Sequence, residues 1–185
     1  NGVFIEIASG IGLADSGLGR GAVWGDYNND GNFDLYLTNF GSENRLYRNI
    51  GGVFTEVGAS MGVDDIGNGR GCSWLDYDND GLLDLLLVNS NNGSVPVDNI
   101  LYHNEDGIFV DVTDSVIADA GGYACSLALA DYDNNGFVDY YLSNWSGNPN
   151  ALIRNDIPDT NNYLKIKLTG KITNLSGFGA RVQLW

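Results

Sequence analysis

Three short stretches of this 185-residue chain hold most of the side chains able to do chemistry. Asp26-Tyr27-Asn28-Asn29-Asp30-Gly31 returns as Asp76-Tyr77-Asp78-Asn79-Asp80-Gly81, then as Asp131-Tyr132-Asp133-Asn134-Asn135-Gly136. Side-chain oxygens at positions 1, 3 and 5, a backbone carbonyl at 7 and a carboxylate at 9 form an oxygen shell within nine residues. Calcium takes about six to eight oxygens in a flexible geometry. The expected ligands are Asp26, Asn28, Asp30, the carbonyl of Asn32, and Asp34 in the first loop. In the second they are Asp76, Asp78, Asp80, the carbonyl of Leu82, and Asp84. In the third they are Asp131, Asp133, Asn135, the carbonyl of Phe137, and Asp139. Gly31, Gly81 and Gly136 permit the sharp bend that a side chain opposes.

An EF-hand is the obvious rival, but it needs a bidentate Glu at position 12, where this chain has Leu37, Leu87 and Leu142. Polar hairpin turns are the bland alternative, since Asp-Gly and Asn-Gly favour turns. A turn needs only one or two such residues, whereas ten of the chain's 24 acids crowd into these loops and would repel one another without a cation. Three calcium sites are therefore expected, the four-carboxylate second loop binding most tightly. Magnesium, which demands tighter octahedral geometry and keeps its waters, fits less well.

The elements that position these loops repeat with them, at spacings of 50 and 55 residues between first aspartates. Leu46-Tyr47-Arg48-Asn49 matches Leu101-Tyr102-His103-Asn104 and Leu152-Ile153-Arg154-Asn155; Gly52-Val53-Phe54 matches Gly107-Ile108-Phe109 and Gly2-Val3-Phe4. Each unit reads as four short strands. A first strand such as 22–25 enters the loop. A second (33–38, 82–88, 137–143) is so continuously apolar that both its faces should be covered. The third carries the Leu-Tyr-Arg/His-Asn element, and the fourth alternates apolar with acidic residues. The fold class is therefore all-β, with propeller-type blades of four antiparallel strands in units of about fifty residues. Residues 1–160 form three blades, with Asp loops at 26–34, 76–84 and 131–139, and 161–185 a further β segment.

Propellers have about four to eight blades, so three imply part of a larger propeller or a unit that assembles head to tail. The third unit lacks a Gly-x-Phe fourth strand after Asn155, while Val3 to Ile7 reads as a fourth strand with no blade before it. That segment is expected to complete the third blade of its own chain or of a neighbouring copy by strand addition.

A net charge of −15 excludes binding to nucleic acid through phosphates or to an anionic membrane surface. No apolar run approaches a membrane span, and the start at Asn1 lacks a basic-then-apolar leader, as a mature or trimmed chain would. With 26 glycines and three prolines, tight turns between short strands are favoured over long helices. His103 is the single histidine and stands where Arg48 and Arg154 stand, so no Ser-His-Asp triad or His-based zinc site can be assembled and no catalytic residue is assigned.

Trp24 and Trp74 occupy equivalent places and read as packing residues rather than sugar platforms, while Trp145 is the better exposed aromatic. Arg20 and Arg70 are placed to bond between blades or to meet an acidic ligand. Cys72 and Cys125 are read either as a disulfide or as two small buried thiols. Asn92, Asn144 and Asn174 fit the N-glycosylation pattern, with Asn92 in the most polar loop.

The Asp-x-Asp/Asn-x-Asp-Gly-x-x-Asp loop, an apolar strand and then Asn-x-Leu-Tyr-Arg-Asn resemble the FG-GAP/VCBS repeats of integrin-α-like β-propellers over about residues 1–155. Asn162 to Leu168 with Gly177 to Val182 is similar to the opening of the ASPIC/UnbV domain that often follows such repeats. The resemblance implies a non-catalytic, extracellular or cell-surface, calcium-stabilised propeller serving adhesion, ligand binding or scaffolding. Its partners would be calcium, copies of itself, or an extracellular protein or glycan. The third unit departs from the pattern in lacking the Gly-Arg-Gly element of Gly19-Arg20-Gly21 and Gly69-Arg70-Gly71.

Overall fold

The structure, a computed structural model, describes residues 2–90, 97–118, 123–145, 147–158, 161, 163, 164 and 166. Three antiparallel sheets follow one another along the chain. The first contains β1 (Gly19–Gly25), β2 (Asp34–Asn39), β3 (Arg45–Ile50) and β4 (Val53–Glu56), in that order. The second repeats it with β5 (Gly69–Leu75), β6 (Asp84–Asn89), β7 (Ile100–Glu105) and β8 (Ile108–Asp111). The third has three strands among the described residues: β9 (Ala124–Ala130), β10 (Asp139–Asn144) and β11 (Ala151–Ile153). The registers correspond, with Trp24 opposite Leu35, Trp74 opposite Leu85, and Leu129 opposite Tyr140. The first strands β1, β5 and β9 run side by side, so the sheets stack like successive blades.

Single helical turns, which the strand periodicity does not predict, precede each blade: α1 (Ala8–Ile11), α2 (Gly58–Met61) and α3 (Ser115–Ala118). α1 ends at Gly12 with φ 89°, so close to the Phe54 carbonyl that a Cβ would lie 2.2 Å from its oxygen. Only glycine allows that approach.

Burial follows the blade-on-blade stacking. β6 is buried along its whole length, because Leu85 and Leu87 enter the core between the first and second sheets while Leu86 and Val88 enter the core between the second and third. The two-faced cover expected of that apolar run is thus present. Tyr27, Trp74 and Phe109 form the aromatic centre of the first core, with ring centroids 5.7 to 6.2 Å apart, and Tyr36 donates its buried hydroxyl to the Val63 carbonyl at 2.8 Å.

One expected strand is not formed. Val3 to Ile7 belongs to no sheet, and its apolar side chains are exposed. A fourth strand pairs with the third strand of its own blade, and none of the described third strands pairs with this segment. Of the C-terminal segment 161–185, only Asn161, Tyr163, Leu164 and Ile166 are described and none lies in a strand; Gly177 to Val182 lie outside the described residues.

Neighbouring blades are also tied by polar bonds. Asn104, fully buried, donates from Nδ2 to the Tyr27 carbonyl of the preceding blade at 2.8 Å and to Leu83 in its own at 2.9 Å, while its Oδ1 accepts the Gly107 N–H. Asn49, in the first blade, bonds only within its own blade, to the Phe33 carbonyl and Gly52 N–H. Asn104→Ala leaves several buried groups unpartnered and is expected to cost roughly 2–3 kcal/mol, whereas Asn49→Ala, nearer solvent, should cost about 1 kcal/mol or less. Urea midpoints of the two variants check this; equal losses would refute an inter-blade role for Asn104.

Candidate metal centre

Each Asp loop is coiled by two residues in the left-handed region. Position 4 is Asn29, Asn79 or Asn134, with φ of 54°, 59° and 62°, and position 6 is Gly31, Gly81 or Gly136, with φ of 88°, 89° and 98°. Asparagine tolerates this conformation better than most residues, and glycine adopts it freely. The coil turns backbone N–H groups inward. In loop one Asp26 accepts from Asp30 and Gly31 at 3.0 and 2.9 Å; in loop two Asp76 accepts from Asp80 and Gly81, each at 3.0 Å. The position-5 side chain accepts the position-7 N–H in every loop: Asn32 to Asp30, Leu82 to Asp80, and Phe137 to Asn135, at 2.8 to 2.9 Å.

The position-9 carboxylate opens the second strand and is buried as Asp34, Asp84 and Asp139. One oxygen accepts the backbone N–H of the third-strand asparagine: Asn49 at 2.8 Å, Asn104 at 2.9 Å and Asn155 at 2.8 Å. In loops two and three the other oxygen accepts the position-2 N–H, from Tyr77 and Tyr132, at 3.0 Å. Loop, second strand and third strand therefore meet at one carboxyl group.

Ligand atoms of Asp76, Asp78 and Asp84 all lie within 4.8 Å of one another, as do those of Asp131, Asp133 and Asp139. Positions 1, 3 and 9 thus converge. In loop one Asn28 stands at position 3, so its corresponding set is two acids and an amide. Asp80 at position 5 groups instead with Asp78 and His103.

The third strand contributes basic side chains that the spacing alone did not assign to the site. Arg48 reaches Asp30 at 3.6 Å and Arg154 reaches Asp133 at 4.0 Å. His103 Nδ1 lies 3.1 Å from Asp84 and 3.8 Å from Asp78, so its equivalence to the arginines extends to its place beside the loop.

Burial raises the carboxyl pKa of Asp34 and Asp76, and pushes Asp84 up to about 6. Asp30, at the solvent edge, is lowered by hydrogen bonds from Asn32. Oxygen donors of this number and charge, several desolvated and crowded together, fit a hard divalent cation.

Two overlapping stretches, residues 26–87 and 76–142, match the FG-GAP-like repeat, each running from one Asp loop into the second strand of the next blade. The chain belongs to the FG-GAP-like repeat family. No curated protein matches it.

The FG-GAP loops are also laced to one another in a way the sequence reading missed. Position-4 Asn29 donates to the Gly81 carbonyl at 3.3 Å, and Asn79 to that of Gly136 at 3.2 Å. The recurrence of Asn at position 4 is the signal for this lacing that the sequence carries.

Several other expectations are corrected or refined. Cys72 and Cys125 are not disulfide-bonded: Cys72 packs against the core between the first and second blades, its thiol pushed up to about 12 by burial, whereas Cys125 is exposed and is no buried thiol either. Arg20 and Arg70 both lie over the Phe40 ring, at 5.4 and 5.3 Å. Trp74 is a core residue, but Trp24 is 54% exposed; Trp145 is exposed as expected. Asn144 ends β10, with Nδ2 donating to the Pro149 carbonyl at 2.7 Å, as Asn39 and Asn89 donate to Glu43 and Asp98. Asn92 and Asn174 lie outside the described residues.

Asp84 gives the site a pH signature. Its folded-state pKa of about 6 lies above the ordinary carboxylate value of 3.8. Between those values the folded chain holds the extra proton, so metal-free stability falls as pH rises through that window, by an amount on the order of 3 kcal/mol from this group. A bound cation reverses the preference, since it needs the ionised carboxylate. Thermal melts of metal-free protein are expected to show higher stability at pH 5 than at pH 7, and melts in excess cation the opposite order. The same order in both would remove Asp84 from the site.

Proposed function

We propose that this FG-GAP-like chain is a non-catalytic, extracellular or cell-surface β-propeller module whose three Asp loops bind calcium, and that it serves structural or adhesive roles. The convergence of positions 1, 3 and 9 into a tight acidic group in the second and third loops supports this reading most directly. In it calcium neutralises the crowded carboxylates and clamps the first strand of each blade to the second. Arg48 and Arg154 offset part of the charge of the first and third loops from one side. Extracellular modules work at about 10⁻⁴ to 10⁻³ M calcium, which suits loops built partly from neutral amides.

The segment from Asn162 onward is read as the start of an ASPIC/UnbV-like domain. A protein or glycan ligand would meet a surface held rigid by the loops; exposed Trp145, edge-on to Tyr123 at 6.3 Å, is the aromatic best placed for such contact.

Binding to the folded chain alone stabilises it by about 2.7 kcal/mol per site at a hundredfold excess over Kd. For a chain of this length that amounts to a rise in Tm of roughly 5–10 °C. Calcium added to chelated protein is expected to raise Tm by at least that much, and calorimetric titration to count three ions. Asp78→Asn should weaken the loop-two ion while leaving the other two. A melt indifferent to both chelator and calcium would overturn the calcium reading.

A further inference from the structure

Arg20 and Arg70 lie at the end of their blades away from the Asp loops, and we infer that together they bind a single carboxylate carried by a ligand. The inference uses no residue of those loops and does not depend on the identity of the cation.

The backbone brings the pair together. Each arginine is the extra residue of a β-bulge at the start of a first strand. Gly19 and Gly21 pair with Asn39 and Thr38, and Gly69 and Gly71 with Asn89 and Val88, so neither arginine has a partner in the neighbouring strand. A bulge of this kind re-aims the side chain it carries. β1 and β5 run side by side, and a Cβ on Gly21 would lie 2.7 Å from the Arg70 carbonyl oxygen. Phe40 continues β2 between the two entering strands. Its N–H donates to the Leu18 carbonyl at 3.0 Å, and on its other side it bridges to Asn68. The two guanidinium groups therefore reach one ring from its two flanks, at 5.4 and 5.3 Å from the centroid.

The fold itself does not require arginine at this place. The third blade forms the same bulge with Cys125, between Ala124 opposite Asn144 and Ser126 opposite Ser143. Ser90 there takes the position of Phe40, donating its N–H to the Asn68 carbonyl and bridging to Tyr123. Among the described residues, two arginines meet an aromatic ring only where the first and second blades adjoin.

Their charge is unanswered in an acidic chain. The protein has 24 acidic and nine basic residues, and Arg45, Arg48 and Arg154 each reach an acid within 4.0 Å. Among the described residues, Arg20 and Arg70 make no ion pair and no side-chain hydrogen bond, and the Arg70 Nε is covered from solvent without an acceptor. Asp15 and Glu43, the acids at the same end of the first blade, approach Arg45 instead, at 3.8 and 2.9 Å. The loop carboxylates are out of reach. Arg20 precedes Asp26, and Arg70 precedes Asp76, by six residues, a distance on the order of 20 Å at about 3.3 Å per extended residue. Salt screens exposed charges beyond roughly 8 Å.

Two guanidinium groups at one ring repel each other. Each offers five N–H donors in a planar fork that matches a carboxylate. A carboxylate between them relieves the repulsion and accepts charge-assisted hydrogen bonds from both, while the cations keep their contact with the ring. The net charge of −15 repels polyanions, so the site suits one acidic group on an otherwise neutral frame. A sugar acid and an acidic side chain both supply that group.

The test is a side-chain NMR titration of the 185-residue chain in excess calcium, following the arginine Nε–H resonances. The probes are methyl glucuronide and N-acetylglutamate α-amide. At least one is expected to shift the Arg20 and Arg70 signals saturably while those of Arg48 and Arg154 stay in place, and the tighter binder identifies the frame as sugar or peptide. Methyl glucoside and N-acetylglutamine amide, the neutral counterparts, should shift neither. Arg70→Gln should weaken binding at least tenfold, and Arg70→Lys, which keeps the charge but loses the fork, at least threefold. Both should keep the strand spectrum and the response of Tm to calcium. Should Arg70→Gln fail to fold, Arg20→Gln, on an exposed side chain, is expected to give the same weakening. The inference is overturned by the absence of a saturable shift with either acid, by an equal response to the neutral compounds, or by undiminished binding in the folded glutamine variants. Such a result with calcium stabilisation intact leaves the proposed function standing, and carboxylate binding without calcium stabilisation does the reverse.

Discussion

A carboxyl group out of contact with water lies at the start of the second strand in every blade, and the surrounding backbone is arranged to satisfy it. Burying an ionised carboxylate without compensation costs several kcal/mol. Asp34, Asp84 and Asp139 meet that cost by accepting the N–H of the asparagine that follows Leu-Tyr-Arg or its equivalent. This contact joins residues fifteen to twenty positions apart and fixes where the third strand lies against the second. The same carboxylate faces the loop, so the acidic group at positions 1, 3 and 9 follows from the strand geometry. Loop chemistry and blade register are therefore two consequences of one buried side chain.

Stacking converts these blades into a single body. A four-stranded sheet covered on neither face has little independent stability, and repeat architectures gain theirs from contacts between neighbours. The second blade shows this most fully, because β6 contributes alternate residues to the cores on either side. Polar ties run parallel to the apolar ones. Asn104 and Asn155 reach back to the Tyr27 and Tyr77 carbonyls, and Asn29 and Asn79 reach forward to the Gly81 and Gly136 carbonyls. A disturbance in one loop is thus transmitted to the blade beside it. Carbonyls at a blade edge that a hydrogen bond must satisfy here find asparagine from the adjoining repeat.

The same logic explains why the ends of the array differ from its middle. Residue types at the two ends are those of the interior, and among the described residues no further blade covers them, so equivalent aromatics go from buried to exposed. Nothing in the local sequence of Trp24 or Tyr132 distinguishes it as a surface residue. Their exposure reflects position in the array.

Much of the site was legible beforehand because its information is local. Oxygen-bearing side chains at alternate positions, glycine at position 6 and an Asp before an apolar run follow from ligand spacing and turn sterics alone. The three loops lie where the repeat places them, and the second strands begin at Asp34, Asp84 and Asp139, one or two residues past the starts expected at 33, 82 and 137. Longer-range features needed the folded chain. That Arg48, His103 and Arg154 approach the acidic groups depends on the pairing of the third strand with the second. That Cys72 packs on a core while Cys125 is exposed depends on how the blades stack, and a shared period of two cannot reveal it. Val3 to Ile7 has the residues of a strand but, among the described residues, no partner edge. Sequence by itself determined which residues could bind a cation or form a strand, because ligand spacing, turns and alternation are set by near neighbours. Tertiary structure decided which became buried, paired or exposed, because those properties belong to contacts between blades.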